Sequence, residues 1–176
     1  MQGSAVALNA RVMETFDGAV VSRRVSWDDP RAVALRDAMD LEIQGRYVGR
    51  GVDPEAVGAA LAVNPADVVA AVILLTPDGT PVGHAALRRL RDDVEVKRVV
   101  VVQTFRGRGL AGRLMAELEA IAREAGVPRL ILQTGDRQPE AVALYRRLGY
   151  REIAIYEPYV DTIPFSLCFE KVLGES

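Results

Sequence analysis

The chain has 176 residues, of which 49% are hydrophobic and 26% are charged, a balance typical of a globular protein with a buried core. Its 22 basic residues nearly balance its 24 acidic residues, and the net charge of −2 does not provide the positive electrostatic potential that attracts nucleic acid. The longest apolar run, VVAAVILL from Val68, is too short to span a bilayer, and the N-terminus lacks a basic region typical of a signal peptide. A soluble cytoplasmic protein without nucleic-acid or membrane partners is therefore predicted.

The single cysteine, Cys168, excludes an intramolecular disulfide framework and a clustered thiolate metal site. It alternates with Leu167, Phe169 and Val172 in a predicted final strand, which favours a small core residue over a nucleophile. We therefore expect a reducing compartment and no bound metal.

Residues 1–18 show no strong hydrophobic period, and we expect a loose N-terminal arm there, followed by a single domain over 19–176. Within that domain, β-branched or alternating runs predict strands, and apolar residues at helical spacing after Asp or Pro predict helices. In chain order we predict a strand at 19–26, helices from 30 into the 40s and from 53 to 64, strands at 68–76, 82–91 and 94–102, a helix at 110–125, a strand at 129–134, a helix at 139–148, and strands at 150–157 and 165–172.

The order β-α-α-β-β-β-α-β-α-β-β predicts an α/β (α+β) fold with a mixed central sheet. The turn at 77–81 makes the start of the sheet antiparallel, whereas the helix after residue 110 provides a β-α-β crossover. The crossover begins with a valine-rich strand that ends at Val102, and chemistry is expected there.

A glycine-rich loop, Arg106-Gly-Arg-Gly-Leu-Ala-Gly112, joins that strand to the helix. The free amides of a helix N-terminus and its partial positive charge of roughly half a unit favour an anion. Arg106, Arg108 and Arg113 crowd the same helix end, where the dipole disfavours cations unless a polyanion is bound. A diphosphate is the first candidate ligand, and a plain turn with solvated arginines is the alternative.

The segment from Gly107 to Gly112 also fits the spelling Gly-x-Gly-x-x-Gly of dinucleotide-binding proteins. In those proteins the first glycine follows its strand almost directly, but here Gln103–Arg106 intervenes. The next strand ends in Leu132-Gln133 without the acidic residue that would hold a ribose, and a hairpin precedes the loop. A dinucleotide-binding protein is therefore the less favoured alternative.

The loop resembles the pyrophosphate loop of the GNAT N-acetyltransferase superfamily, Arg/Gln-x-x-Gly-x-Gly/Ala, through Arg106, Gly109 and Ala111. The stretch from Leu132 to Tyr150 resembles the later strand-helix-strand of the family, with its Ala-x-x-Leu-Tyr and closing Gly-Tyr. The resemblance implies an N-acetyltransferase that uses acetyl-coenzyme A as co-substrate and acetylates a primary amine of a small molecule or peptide by direct attack in a ternary complex. Because family members often pair through their last strands, it also favours a homodimer without deciding the oligomeric state.

The resemblance implies, in addition, a splayed pair of central strands that end at Val102 and Thr134, with the pantetheine arm between them. Backbone groups of the first strand would bind pantetheine and polarise the thioester carbonyl, as in an oxyanion hole worth ~3 kcal/mol per donor. The amides of the glycine loop would hold the diphosphate. The implied cofactor-binding residues are Val99, Val100, Val101, Arg106, Gly107, Arg108, Gly109, Leu110, Ala111, Gly112 and Gln138.

Two catalytic residues are implied. Tyr145 matches the family tyrosine that protonates the departing thiolate, and a phenol with a pKa near ~10 can supply that proton. Its alternative role is that of a core tyrosine with a satisfied hydroxyl. Glu95 precedes Val99 on the same strand and is the best candidate for the base that deprotonates the amine through water, with a structural ion pair to a neighbouring arginine as the alternative.

The sequence also departs from the family pattern. Gln133 stands where other members carry a base, and an amide cannot accept a proton, which motivates the alternative of an acyl-coenzyme A sensor without turnover. The sole histidine, His84, is expected to be a packed or surface residue rather than a proton acceptor. The acceptor pocket is expected near Tyr47 and the loop Tyr156–Asp161, whereas the sequence leaves the acceptor, the acyl-chain preference and the oligomeric state open.

Overall fold

The structure is a computed structural model that describes residues 20–174, so the predicted N-terminal arm at 1–18 and the first residue of the predicted first strand lie outside the described residues. Strands and helices follow one another in the predicted order. They are β1 (Val21–Val25), α1 (Pro30–Arg46), α2 (Pro54–Leu61), β2 (Val68–Leu75), β3 (Pro81–Leu90), β4 (Asp93–Val101), α3 (Leu110–Glu124), β5 (Arg129–Gly135), α4 (Pro139–Arg147), β6 (Arg151–Ile153) and β7 (Ser166–Val172).

Local signals set the beginnings of the first two helices. The Asp29 carboxylate accepts a hydrogen bond from the Arg31 amide at 2.9 Å, and Pro30 is the first helical residue of α1. In the same way Asp53 accepts from the Glu55 amide at 3.0 Å, next to Pro54 in α2. A carboxylate cap satisfies an amide that the first helical turn leaves without a partner, and proline has no amide to satisfy.

The strands within residues 20–174 form one sheet with the order β1-β2-β3-β4-β5-β7-β6. The central pair, β4 and β5, is parallel, and the other neighbours are antiparallel. This arrangement confirms the predicted mixed sheet, in which α3 makes the crossover between the parallel strands.

The central pair separates along its length. β4 pairs with β5 from Val94 to Val96, opposite Leu130 to Leu132, and the pairing ends there although both strands continue. On its other edge β4 carries a bulge, because Ala86 of β3 pairs with Lys97 whereas His84 pairs with Val100. Arg98 lies in this bulge with a φ of 59°, and a bulge bends its strand. The predicted splayed strand pair is therefore confirmed.

Both faces of the sheet are covered. On one face α3 buries Leu114, Met115 and Leu118 completely, and they belong to the main hydrophobic core. On the other face α1 packs against β3 and β4, while a smaller cluster that includes Ala60 and Tyr159 joins α2 to the loop between β6 and β7. The amphipathic face of α3 was readable in the sequence from its helical spacing.

β6 is shorter than the predicted strand at 150–157. It ends at Ile153, and the chain then turns so that Tyr159 becomes completely buried. The chain leaves the strand so that this large aromatic ring can be buried. The hydrophobic pattern of residues 150–157 does not indicate where the strand ends, because the burial of Tyr159 depends on tertiary packing. Within residues 20–174 no helix is long and apolar enough to cross a membrane.

Candidate active site

A cavity of ≈ 280 Å³ lies where β4 and β5 separate. The end of β4, the glycine loop, and parts of α1, α3 and α4 form its walls. The predicted site residues that line it are Val99, Val100, Val101, Arg106, Gly107, Gly109, Leu110, Ala111, Gly112, Gln138 and Tyr145. The structure therefore brings together residues from the two motifs of the sequence, and the predicted site residues outside the lining are Arg108 and Glu95.

The glycine loop is shaped to leave amides open to a ligand. Gly107 and Gly109 have φ values of 77° and 76°, which glycine adopts without steric cost. A Cβ atom added at Gly107, Gly109 or Gly112 would meet no atom within 4 Å, so the space around the loop is open. Helix α3 has no side-chain cap at Gly109 and no acidic residue in its first turn. Its first amides are therefore suited to an anion.

The end of β4 offers a second set of polar groups. β3 pairs with one edge of this segment, with Gly83 opposite Val101 and His84 opposite Val100. The edge that faces β5 has no partner strand beyond Val96 among the described residues. Because backbone N–H and C=O groups require hydrogen-bond partners, this edge can bind an extended ligand that carries amides.

Arg106 is held between the strand and α1. Its Nε donates to the Val101 carbonyl at 3.0 Å, and its Nη1 and Nη2 donate to the two carboxylate oxygens of Glu42 at 3.1 and 2.7 Å. The hydrogen bond from Arg106 holds the pKa of Glu42 below its usual value. By contrast, Arg108 lies against the 3₁₀ turn that precedes the loop, with its guanidinium carbon 5.0 Å from the centre of the Phe105 ring.

Tyr145 lines the cavity from α4 and is 93% buried, with only 7% of its surface exposed. Its ring packs against Tyr150 and Phe169, with centroids 6.0 and 6.1 Å away. Burial raises the pKa of Tyr145 to about 12, and no hydrogen bond to another residue within 20–174 opposes that shift. The phenol is therefore protonated at neutral pH, as a general acid must be.

Glu95 lies outside the cavity lining, in a polar cluster on the sheet face below the β6–β7 loop. Its side chain is fully buried, with Oε2 accepting from Arg88 Nε at 2.6 Å and Oε1 accepting from the hydroxyls of Tyr156 and Tyr159 at 2.8 and 2.7 Å. Lys97 donates to the Tyr159 hydroxyl at 3.0 Å, and burial lowers the pKa of Lys97 to about 8. Arg88 is therefore the neighbouring arginine that the alternative, structural role of Glu95 requires.

Sequence reasoning missed Arg88, Lys97 and Tyr159 as members of this cluster. One signal was available, because the β3–β4 hairpin turns after Leu90 and this register sets Arg88 directly opposite Glu95. Opposite charges on facing residues of an antiparallel pair stabilise each other. The position of Tyr159 had no comparable local signal.

The cavity is also lined by Met39 and Ile43 of α1, which the sequence analysis did not name. They lie one helical turn apart, and that spacing places both on the same face of the helix. Tyr47 lies farther along the chain, where it stacks on Phe165 with ring centroids 5.2 Å apart. The loop Tyr156–Asp161 does not line this cavity, and its contact with an acceptor stays a prediction.

The structure also places three other residues that the sequence analysis discussed, Gln133, Cys168 and His84. Gln133 donates to the hydroxyl of Ser166 at 2.9 Å, across the β5–β7 pair. Cys168 is buried, and burial raises the pKa of its thiol to about 11, as suits a core residue. His84 is also buried, with Nδ1 3.0 Å from the Val72 carbonyl and Nε2 3.3 Å from Arg36. Of the packed and surface alternatives for this histidine, the structure shows the packed one.

The mixed sheet with its splayed central pair matches the fold of solved GNAT acyltransferases. Residues 23–150 match the sequence profile of the acetyltransferase (GNAT) family, and the chain belongs to that family.

Individual relatives agree with this assignment. The chain is 42% identical over 79 residues to the IAA acetyltransferase of Azospirillum brasilense, a match that covers 45% of this chain and only about half, 51%, of that protein. A Klebsiella pneumoniae protein assigned as an acyl-CoA N-acyltransferase is 29% identical, with a TM-score of 0.72 over 88% of this chain and 98% of that one. A Bacillus anthracis protein assigned as a streptothricin acetyltransferase, solved with acetyl coenzyme A, shares the fold at 17% identity and a TM-score of 0.53, over 64% of this chain and 67% of that one.

The buried histidine makes stability depend on pH. Burial and the neighbouring Arg36 lower the pKa of His84 from 6.5 to about 4, so the folded protein resists a proton that the unfolded chain accepts. Its contribution to stability is therefore present above pH 6.5 and is lost as the pH falls towards 4. We expect the free energy of unfolding in urea to fall more steeply over this range for the wild type than for His84→Gln, by up to about 1 kcal/mol per pH unit. Equal slopes would contradict this interpretation.

Proposed function

We propose that the protein is an acetyl-coenzyme A-dependent N-acetyltransferase that transfers an acetyl group to a primary amine by direct attack in a ternary complex. The observation that best supports this function is the cavity between the separated strands, because it joins an open anion site to an unpaired strand edge. Coenzyme A requires both, since its diphosphate is anionic and its pantetheine arm carries amides. When bound, acetyl-coenzyme A would supply a thioester that an amine can attack.

Different residues of the cavity would bind different parts of acetyl-coenzyme A. The amides of 107–112 would hold the diphosphate at the positive end of α3, with Arg106 and Arg108 as further cations. The unpaired edge of Val99–Val101 would bind pantetheine and donate to the thioester oxygen, which stabilises the charge that develops during attack. Gln138, at the start of α4 on the opposite wall, would offer its amide to the same ligand.

Isothermal titration with acetyl-coenzyme A, NADH and 3′,5′-ADP tests the choice of cofactor. We expect micromolar binding of acetyl-coenzyme A and no heat from NADH. Gly109→Ala should weaken acetyl-coenzyme A binding about tenfold, because alanine disfavours the left-handed conformation by ~1–2 kcal/mol and the loop would relax.

Gly51→Ala is the matched control, since Gly51 also has a positive φ, 71°, with no atom within 4 Å of an added Cβ, but it does not line the cavity. This variant should bind like the wild type. A preference for NADH, or no binding of acetyl-coenzyme A, would show that the loop has been misinterpreted.

Tyr145 is the proposed general acid for the departing thiolate. It lines the cavity, its hydroxyl is free of protein partners within 20–174, and its raised pKa keeps it protonated. We expect Tyr145→Phe to lower kcat about 100-fold while titration shows unchanged affinity for acetyl-coenzyme A.

The matched control is Tyr150→Phe, because Tyr150 packs against Tyr145 but its hydroxyl donates to Glu119 at 3.2 Å. Its kcat should stay near that of the wild type. Full activity in Tyr145→Phe would remove this tyrosine from the mechanism.

Glu95 is the proposed proton acceptor. Its Oε1 atom accepts from Tyr156, which is only half-buried, so the Tyr156 hydroxyl and water would connect the carboxylate to the acceptor amine. An amide cannot accept a proton. We therefore expect Glu95→Gln to lower kcat/KM while the affinity for acetyl-coenzyme A stays unchanged.

Glu119→Gln is a suitable comparison, because Glu119 is also buried and accepts from a tyrosine and a lysine, but on the α3 side of the sheet. It should lower the free energy of unfolding without lowering kcat/KM of the folded enzyme. If Glu95→Gln behaves in the same way, then the role of Glu95 is structural.

The acceptor is proposed to be a primary amine of a small molecule or a peptide, bound against the wall that Met39 and Ile43 form. The homodimer and the cytoplasmic location expected from the sequence stay predictions.

A further inference from the structure

A chain of charged side chains crosses the cavity lining and connects three of its walls. Arg106 of the glycine loop pairs with Glu42 of α1 through both carboxylate oxygens, at 3.1 and 2.7 Å. The first of those oxygens also accepts from Arg46 Nη2 at 2.9 Å, and Arg46 in turn pairs with Glu140 of α4. We call these four residues the charge bridge, and all of them line the cavity.

The charge bridge conflicts with the ligand that the same cavity is proposed to bind. Its two arginines and two glutamates cancel, so it supplies no net positive charge to a diphosphate. In addition, one N–H of each Nη of Arg106 already donates to Glu42, and such a pair of parallel N–H groups is what arginine uses to bind two phosphate oxygens. A carboxylate and a phosphate cannot both accept from the same pair of N–H groups.

The rest of α1 is held independently of Arg106. The Tyr47 hydroxyl, just beyond the end of the helix, accepts from the Arg137 amide at 3.0 Å, and Arg137 Nη1 donates to the Arg46 carbonyl at 2.8 Å. The hydroxyl of Tyr47 also occupies the space beside Gly135, 1.8 Å from where a Cβ atom would lie. The pair between Arg106 and Glu42 can therefore open while α1 stays anchored at its C-terminal end.

We propose that Glu42 is an intramolecular counter-anion for Arg106, which the diphosphate of the cofactor displaces, so that Glu42 lowers the affinity of the cavity for acyl-coenzyme A. This inference rests on the proposed function. The exchange replaces one anion on the Arg106 fork by another and leaves the pairing of Arg46 with Glu140 in place. Glu42 is thus a residue that sets cofactor affinity.

The test compares Glu42→Gln with the wild type by isothermal titration with acetyl-coenzyme A. An amide lacks the negative charge that competes with diphosphate, so we expect binding to become about two- to fivefold tighter, the range for one partly exposed ion pair. Glu42→Ala should give the same direction, which separates the loss of charge from a new amide contact.

Two further variants provide controls. Glu124→Gln removes an exposed carboxylate that pairs with Arg24 at 2.9 Å, outside the cavity, and it should not change the affinity. In an Arg106→Gln background the effect of Glu42→Gln should shrink towards zero, because the competition requires the guanidinium. Thermal unfolding without ligand checks that each variant is folded.

The outcomes separate this inference from the function on which it rests. If the wild type binds acetyl-coenzyme A and Glu42→Gln binds it equally or more weakly, then Glu42 does not compete and the inference is overturned, whereas the proposed function stands. If neither protein binds acetyl-coenzyme A, then both are overturned. The inference is supported if Glu42→Gln and Glu42→Ala bind acetyl-coenzyme A more tightly than the wild type and if this gain in affinity disappears in the Arg106→Gln background.

Discussion

The pairing between β4 and β5 ends after Val96 and Leu132, and the candidate site depends on this early ending. Parallel strands that stayed paired would satisfy each other's backbone groups and leave neither a cavity nor a free edge. The bulge at Arg98 on the opposite edge bends β4 at the same level, so that Val99–Val101 diverge from β5 while Val100 and Val101 stay paired with β3. The glycine loop follows after a short 3₁₀ turn, which places the open amides at the start of α3 beside the free edge.

The two sheet faces near this point have different chemistry. On the α3 face the core is apolar, with Leu114, Met115 and Leu118 completely buried. On the other face Glu95 is buried with Arg88, and two tyrosines complete its hydrogen bonds. A buried ion pair recovers its desolvation cost only when its remaining groups are satisfied, as they are here. Because both tyrosines belong to the β6–β7 loop, the same bonds fix that loop against β4.

Helix α1 carries residues on two walls of the cavity. Glu42 contacts the glycine loop, whereas Met39 and Ile43, on neighbouring turns, line the cavity as well. In the proposed function, Glu42 would face the cofactor, and Met39 and Ile43 would face the acceptor. A change in the pairing of Glu42 would then act on a helix that also shapes the acceptor wall, which is a physical route by which the two substrates would influence each other's binding.

Much of the fold was predictable because its signals are local. Asp29 and Asp53 cap the helices that they precede, the positive φ angles of Gly107 and Gly109 require glycine, and the spacing of apolar residues in α3 marks its buried face. For the same reason most of the predicted cofactor residues line one cavity, since the two motifs that carry them follow neighbouring strands.

By itself, the sequence determined the order of the elements, the family resemblance and the position of the glycine loop, because each depends on residues close together in the chain. Only the tertiary structure decided the partners of the charged groups. Glu42 meets Arg106 and Tyr159 meets Glu95 across 64 residues of chain in each case. Such contacts arise when α1 and the β6–β7 loop pack on the sheet, and no local pattern records which distant side chains that packing brings together.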